Sequence, residues 1–438
     1  MIEDLKIRAT ERDSIIQSLR TGVVPRRGLQ HIQVGRAREV NALLKDIDRI
    51  SEDGSFIRFI IGEYGSGKTF FLNLIRSIVM EKRCVSIHAD LSPDRRLHAT
   101  GGQARLLYAE LMKNLSTRSK PEGGALLAVV ERFITETLKT AKSRDMSPET
   151  VIHENLAHLT EMVGGYDFAE VIAAYWKGHD SGDETLKSNA LRWLRGEFST
   201  KTDARSALGV RTIIDDANFY NMLKLMARFV RLAGFSGLVV CLDEMVNLYK
   251  LANTQARKSN YEEILHMLND CLQGTAVGLG FLMGGTPDFL YDTRKGLYSY
   301  TALQTRLAQN TFAVNGLVDL TGPIIQLENL AAEDVFVLLT KLRHVFSSGD
   351  SSAYLLTDEG LHAFMEHCHT RIGDAYFRTP RNTIVSFINL LAILEQNPTV
   401  SWQDLLGKIE VEIDTTPDLE KMNPDGENND DDLASFKL

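Results

Sequence analysis

Eight consecutive residues, Gly62 to Thr69, have the types and the spacing that hold phosphate groups. They read Gly-Glu-Tyr-Gly-Ser-Gly-Lys-Thr and complete the pattern G-x-x-x-x-G-K-[ST] between a short apolar run and a helical pattern. Glycines let backbone N–H groups surround phosphate oxygens, the lysine reaches the β- and γ-phosphates, and the hydroxyl ligates Mg²⁺. The alternative is a chance glycine turn, but the full pattern in this context predicts a nucleoside triphosphate site.

We expect ATP and Mg²⁺ as the cofactors of this site. Lys68 is a predicted catalytic residue, and Thr69 is a predicted metal ligand. The predicted nucleotide-binding residues of the loop and of the helix that follows it are Gly62, Glu63, Tyr64, Gly65, Ser66, Gly67, Lys68, Thr69 and Phe70.

A pair of acids, Asp243 and Glu244, ends the continuous apolar run at 237–242. Such a run is typical of a strand that is buried on both faces. An acid at the end of a strand near the phosphate loop can hold Mg²⁺, and a neighbouring glutamate can act as general base on the attacking water. The alternative is a surface acid pair at a strand end. We predict Asp243 as the metal-positioning acid and Glu244 as the catalytic base.

The stretch from Val34 to Glu39 reads V-G-R-x-x-E and lies shortly before the phosphate loop. In many ATPases such a stretch lies against the adenine. The alternative is a plain helix start with Glu39 exposed. Beside a phosphate loop we favour the first interpretation, so Val34, Gly35 and Arg36 are further predicted nucleotide-binding residues.

Three more residues are candidates for catalysis. Thr286 follows a buried apolar run and can contact the γ-phosphate or the attacking water, although a turn set by Gly285 and Pro287 explains it equally well. Arg306 can reach the γ-phosphate of a neighbouring subunit, although a solvated arginine is the simpler interpretation. Arg381 follows Pro380 at a predicted helix start, from which a lid could lower it onto the nucleotide.

The elements that must position these residues divide the chain into four parts. An amphipathic helix over residues 2–20 and a linker occupy 1–30, and the nucleotide-binding core occupies 31–322 with a helical insertion at about 100–210. A helical lid follows at 323–410, with helices at about 331–346, 358–369 and 380–396. The remainder, 411–438, is an acidic tail that is predicted to be disordered. Before the helical run that begins near residue 219, Asp215 or Asp216 is a predicted N-cap.

The composition limits the cellular setting and the partners. The 438 residues are 44% apolar and 24% charged, as in ordinary globular proteins, and the net charge of −9 gives no overall basic surface for nucleic acid. The four cysteines form no C-x-x-C pair, so a disulfide framework or a zinc ribbon is not indicated. No apolar segment resembles a signal peptide or a membrane span. We therefore expect a cytoplasmic protein without a membrane partner.

Taken together, these stretches resemble the ATP-binding proteins of BREX bacteriophage-defence systems, in their short BrxD-type form. Beside the motifs above, the likeness rests on R-W-L-R-G-E at 192–197, on G-L-V-V-C-L-D-E-M-V-N-L-Y-K-L at 237–251 and on F-R-T-P-R at 377–381. The resemblance covers about 25–410. More widely, the chain is similar to AAA+ ATPases of the origin-recognition and initiator-loader kind.

The resemblance implies an α/β fold: a P-loop AAA+ core with a parallel sheet, a large helical insertion and a C-terminal helical lid. It implies an ATPase that forms an oligomer on DNA or beside a helicase-like partner of the defence system. By position it also implies Thr286 as first sensor, Arg381 as second sensor and Arg306 as the finger toward a neighbouring subunit.

One departure from the initiator-loaders matters. The residues after the last lid helix are too few for the winged-helix domain that usually follows the lid. DNA contacts would then come from the core or the insertion, where the basic residues are Arg192, Arg195, Lys201, Arg205 and Arg211. These residues equally form an ordinary solvated face. Two functions therefore stay open: an ATPase that acts on phage DNA, or a nucleotide-gated signalling or scaffold protein that does not bind DNA.

Overall fold

The computed structural model describes residues 7–312 and 318–407, and a five-stranded parallel sheet lies at its centre. The strands are β1 (Phe56–Gly62), β2 (Val85–Asp90), β3 (Leu238–Asp243), β4 (Leu279–Gly285) and β5 (Ile324–Leu327). Their order across the sheet is β2-β3-β4-β1-β5. The predicted α/β class with a parallel sheet is confirmed, and the arrangement is consistent with a P-loop AAA+ core.

Helices cover both faces of the sheet and extend beyond it. Those of the core are α3 (Ala37–Ser51), α4 (Lys68–Glu81), α12 (Val246–Tyr249), α13 (Thr254–Gln273), α14 (Pro287–Tyr291) and α15 (Thr301–Arg306). Those between β2 and β3 are α5 (Gln103–Lys113), α6 (Leu126–Arg144), α7 (Pro148–Thr160), α8 (Gly165–Ser181), α9 (Glu184–Leu194), α10 (Lys201–Leu208) and α11 (Phe219–Leu232). The remaining ones are α1 (Ala9–Arg20), α2 (Leu29–Ile32), α16 (Ala332–Phe346), α17 (Asp358–Ile372), α18 (Ala375–Arg378), α19 (Arg381–Gln396) and α20 (Trp402–Leu406).

Successive residues of β1 enter two separate hydrophobic cores, one on each face of the sheet. Ile57, Phe59 and Ile61 pack into the larger core, whereas Phe56 and Ile60 pack into the smaller one. This alternation follows from the two-residue period of a strand. All seven residues of β1 are buried, which explains why its sequence is apolar apart from Arg58.

The helices between β2 and β3 extend the larger core. Phe168, Trp193 and Phe229 lie in the same hydrophobic cluster as the sheet residues, and the Phe168 ring lies 6.3 Å and 5.6 Å from the other two. The Trp193 indole N–H donates a hydrogen bond of 2.9 Å to the Thr212 carbonyl. The insertion is therefore packed onto the sheet, and the helical run predicted from about residue 219 corresponds to α11.

The predicted capping role of Asp215 or Asp216 is wrong for α11. Asn218 holds the N-cap position of that helix. The Asp216 carboxylate instead accepts backbone N–H groups of Gly102 and Arg105, at 2.7 Å and 2.9 Å, at the start of α5. An acid near a helix start thus satisfies the free N–H groups of a helix that is distant in sequence.

The N-terminal helix packs into the lid. Ile15 of α1 is fully buried in a third core, together with apolar residues of α16, α17 and α19. The Arg12 guanidinium donates to the Phe346 carbonyl at 2.7 Å and pairs with Glu395 at 3.0 Å. These contacts join the beginning of the chain to its C-terminal helices.

The predicted lid helices at 331–346, 358–369 and 380–396 correspond to α16, α17 and α19. The predicted helix at 2–20 corresponds to α1, which begins at Ala9. The predicted acidic tail lies outside the described residues. Among the helices that the structure describes, none is long and apolar enough to cross a membrane.

A buried ion pair joins α3 to β1. Asp46 Oδ2 lies 2.6 Å from Arg58 Nε, and the two side chains are only 1% and 7% exposed. The Arg58 guanidinium also donates to the carbonyl of Gly322, shortly before β5. Since both charges are removed from water, each depends on its partner for stabilisation.

We expect an Asp46→Ala variant to lose about 3–5 kcal/mol of unfolding free energy, because Arg58 would stay buried without its counterion. Asp48 on the same helix is the matched control. It pairs with Lys82 at 2.9 Å, but both side chains are exposed, so Asp48→Ala should cost at most about 1 kcal/mol. Urea denaturation followed by circular dichroism measures both values. Equal losses in the two variants would contradict this account of the pair.

Candidate functional site

The phosphate loop joins β1 to α4 and places a helix N-terminus beside the predicted phosphate position. Gly67 is the N-cap of α4 with a φ of 82°, in the left-handed region that favours glycine. The helix starts at Lys68, so the free N–H groups of its first turn are available to an anion. The Lys68 ammonium donates to the carbonyls of Gly62 and Glu63, both at 2.8 Å. The loop therefore orients its own lysine.

Thr69 and Asp243 meet although they come from separate parts of the chain. Thr69 Oγ1 donates to Asp243 Oδ2 at 2.8 Å, across the position of the intervening strand β4. Gly284 of β4 leaves room for this contact, because a Cβ atom there would lie 2.4 Å from Asp243 Oδ1. Burial lowers the pKa of Lys68, and the Asp243 charge opposes that effect.

The chemistry of this pair fits Mg²⁺. Thr69 supplies a hydroxyl oxygen and Asp243 supplies a carboxylate oxygen, and hard divalent cations prefer oxygen ligands of this kind. The two oxygen atoms are already in contact at the C-terminal edge of the sheet. They are therefore the residues that would hold the metal, with the nucleotide phosphates as further ligands.

Glu244 has an unusual backbone conformation. Its φ is 58°, a left-handed value that is uncommon for a residue other than glycine, and such conformations cluster at functional sites. Its backbone N–H donates to Asp243 Oδ1 at 2.9 Å. Burial raises the pKa of Glu244, and the charges of Asp243 and Asp90 raise it further.

Asp90 is a member of this acidic edge that the sequence interpretation missed. It ends β2 and lies opposite Asp243 in the parallel register of β2 and β3. Burial and the Asp243 charge both raise its pKa. An acid at a strand end is the available signal, as at Asp243.

Arg36 connects the V-G-R stretch to the phosphate loop. Its guanidinium donates to the Ser66 carbonyl at 3.4 Å and to the Glu328 carbonyl after β5, and it lies 3.8 Å from the Glu39 carboxylate. Glu39 is therefore a partner of Arg36. The apolar side chain of Val34 packs against the lid core.

The lid reaches the phosphate loop directly. A Cβ atom at Gly65 would lie 2.8 Å from the Arg378 carbonyl oxygen and 3.0 Å from the Thr379 methyl group, so only glycine fits between the two. Arg381 begins α19, and its guanidinium lies 3.5 Å from the Tyr64 hydroxyl. Phe70 packs against the same lid core as Val34.

The same arginine also contacts the N-terminal segment. Arg381 Nε donates to the Gly22 carbonyl at 2.8 Å, just after α1. The sequence interpretation did not include Gly22, because no local pattern connects two residues so distant in the chain. Arg381 therefore stands where the N-terminal segment, the lid and the phosphate loop meet.

Two predicted site residues have local contacts instead. Thr286 is the N-cap of α14, and its hydroxyl accepts the Phe289 N–H at 3.3 Å, as expected of a turn at the strand end. Arg306 is exposed, and within the described part of the chain its guanidinium bonds only to the Ala302 carbonyl of its own helix. Thr286 directly follows β4, which lies between β1 and β3 in the sheet, and its role and that of Arg306 stay predictions.

Two of the basic residues of the insertion share one acidic partner. Arg192 and Arg195 lie 3.9 Å and 3.8 Å from the Glu197 carboxylate. Arg192 also stacks over the Phe198 ring, 4.8 Å from its centroid. These contacts stabilise the turn after α9. Lys201, Arg205 and Arg211 are exposed too, and among the described residues they have no acidic partner.

A comparison with protein families agrees with this geometry. The family model described as BREX system ATP-binding protein BrxC/D matches residues 7–410. The chain belongs to this family. It is therefore an ATP-binding protein of an anti-phage defence system, and the predicted resemblance is confirmed. The comparison with curated proteins gave no match.

We expect a Gly284→Ala variant to weaken the Mg²⁺-dependent part of ATP binding, because the added methyl group would displace the Asp243 carboxylate. The ratio of ATP affinity with Mg²⁺ to ATP affinity in EDTA should fall about tenfold or more, as for other changes next to metal ligands. Isothermal titration calorimetry measures both affinities.

Gly280→Ala on the same strand is the control for Gly284→Ala. Its Cβ atom would meet the Phe56 ring at 2.5 Å, in the core and away from the nucleotide. This variant should lose stability and keep the wild-type affinity ratio. A wild-type ratio in Gly284→Ala would show that Gly284 does not position Asp243.

Proposed function

We propose that this family member hydrolyses ATP to ADP and phosphate, with Mg²⁺ held at Thr69 and Asp243. The supporting observation is the 2.8 Å contact between Thr69 Oγ1 and Asp243 Oδ2, with Glu244 as the next residue. A phosphate loop alone binds nucleotide, whereas a loop joined to an acid pair also has the groups for hydrolysis. Membership of the family supports ATP binding, and ATP hydrolysis is our proposal.

In the proposed reaction, water attacks the γ-phosphorus in line with the oxygen that bridges the β- and γ-phosphates. The new P–O bond forms as the bond to that bridging oxygen breaks, and ADP leaves. Glu244 accepts the proton of the attacking water. Lys68 binds the β- and γ-phosphate oxygens in place of the carbonyls it contacts in the free loop. Bound Mg²⁺ would neutralise the negative charge of the phosphates.

The lid completes the proposed site. Arg381 already lies beside Tyr64 of the phosphate loop, which supports its role as second sensor. Arg36, in contact with Ser66 of the loop, supports adenine and phosphate binding by the V-G-R stretch. Thr286 stays a proposed first sensor, and its capping bond to Phe289 would compete with that role.

We further propose that the protein assembles as an oligomer and acts on DNA or loads a helicase-like partner. Arg306 supports assembly, because its exposed guanidinium bonds, among the residues that the structure describes, only to its own helix and can reach outward. The second candidate is a nucleotide-gated signalling or scaffold protein. The net charge of −9 favours it, since the chain as a whole does not attract nucleic acid.

A Glu244→Gln variant tests the base. It should bind ATP with about wild-type affinity and hydrolyse it roughly 10²–10⁴ times more slowly, because the amide accepts no proton. Phosphate release measures turnover, and calorimetry measures ATP affinity. Glu81→Gln, at an exposed ion pair with Arg118 at the far end of α4, should leave both unchanged. Wild-type turnover in Glu244→Gln would exclude Glu244 as the base.

A mixture of two inactive variants tests the finger. Lys68→Ala subunits lack a working phosphate loop but carry Arg306, whereas Arg306→Ala subunits have the opposite defect. If Arg306 acts on a neighbour, the mixture should recover part of the ATPase activity that each variant lacks alone. Native mass spectrometry confirms that mixed oligomers form. Mixed oligomers without recovered activity would argue against a finger at Arg306.

A further inference from the structure

One face of α3 carries a row of exposed cations. Arg38, Lys45 and Arg49 are all exposed, and Asn41 lies between the first two. Their spacings of seven and four residues place them on the same side of the helix. At a rise of 1.5 Å per residue, the row spans roughly 16 Å. This row is distinct from the nucleotide site and from the basic residues of the insertion.

The row borders a groove of about 680 Å³. Val318, Leu320 and Thr321, before β5, line it together with α3. The buried Asp46–Arg58 pair also contributes to its lining. The groove therefore lies between α3 and the segment before β5, with the buried ion pair between them.

The acids of α3 do not neutralise this groove. Glu39 lies beside Arg36, and Asp48 pairs with Lys82. Asp46 is shared between Arg58 at 2.6 Å and Arg49 at 3.6 Å. Among the described residues, Arg38 and Lys45 have no acidic partner. Four cations and one carboxylate line the groove, and Asp319, between two lining residues, adds a second carboxylate near Arg58. The cations outnumber the acids, so the groove is locally positive on a chain whose net charge is −9.

We propose that this groove binds the phosphate backbone of a nucleic acid. Arginine and lysine side chains bind phosphate, and the amide of Asn41 can add a hydrogen bond to it. No aromatic residue lines the groove among the described residues, so bases do not stack there. Binding is therefore independent of base sequence and steeply dependent on salt.

The groove is coupled to the nucleotide site through one helix. Arg36 stands at the N-cap of α3 and contacts Ser66 of the phosphate loop, two residues before the first cation of the row. A shift of α3 on nucleic acid binding would move Arg36 relative to that loop. This inference rests on the proposed action on DNA, and it places the contact on α3 and not on the insertion.

An Arg38→Glu/Lys45→Glu double variant tests the groove and leaves the buried pair intact. Fluorescence anisotropy with labelled duplex DNA and labelled single-stranded DNA, over a salt series with ATP present, gives affinity and salt slope. We expect the affinity for duplex DNA at 0.1 M salt to fall about tenfold or more. The slope of log affinity against log salt should become less steep by about two, the value for two lost phosphate contacts.

Lys201→Glu/Arg205→Glu on α10 is the matched control, since it makes the same change in net charge at two exposed cations of the insertion. It should keep the wild-type affinity and slope. Circular dichroism and ATP affinity should be unchanged in both double variants. If the α10 variant loses binding and the α3 variant does not, the insertion is the nucleic-acid surface and the groove is excluded.

Four other outcomes separate this inference from the proposed ATPase activity. If the α3 variant binds DNA like the wild-type protein, the groove is not the nucleic-acid site, and the ATPase proposal is unaffected. If the wild-type protein binds neither DNA at low salt, the groove is not a nucleic-acid site, and the signalling function is favoured. If the α3 variant loses binding of poly-glutamate but keeps binding of DNA, the groove binds an acidic protein and not a nucleic acid. Absence of ATP hydrolysis, with groove-dependent DNA binding retained, overturns only the ATPase proposal.

Discussion

The hydrogen bond between Thr69 and Asp243 depends on a parallel sheet in which all strands end at the same edge. β1 and β3 are not neighbours, so the strand between them must leave space for the contact. Gly284 provides that space at the end of β4. The helical insertion can be long without disturbing the site, because it leaves β2 and returns to β3 and packs into the core on one face of the sheet. The geometry of the site thus follows from strand order and from one small residue.

Much of this arrangement could be predicted because its signals are local. The phosphate loop is a contiguous pattern, and the strand before Asp243 is a contiguous apolar run. In the lid helices, apolar residues recur with the helical repeat and the helix ends are marked by local residues. Their observed bounds agree with the prediction. The family and the parallel α/β class are confirmed. The roles of the individual site residues and the division into domains stay predictions.

The contacts that were missed are all distant in sequence. Asp90 joins the acidic edge only through the pairing of β2 with β3, and Gly22 meets Arg381 only because α1 packs against the lid. Asp216 has the residue type of a helix cap, but the helix it caps lies earlier in the chain. Thr286 shows the converse, since a local cap explains its position without any nucleotide. In these cases the residue type predicts that the side chain forms polar contacts, whereas the partner depends on tertiary packing.

The packing of α1 against the lid sets an order of events during synthesis. Arg12 and Glu395 form a pair across 383 residues. At 5–20 residues per second, a ribosome needs roughly 20 to 80 s to make that interval. Until then the apolar side of α1 around Ile15 lacks its partners on α19, while the sheet and the insertion between them already have theirs. The lid, and with it Arg381 beside the phosphate loop, is completed only after α19 has left the ribosome.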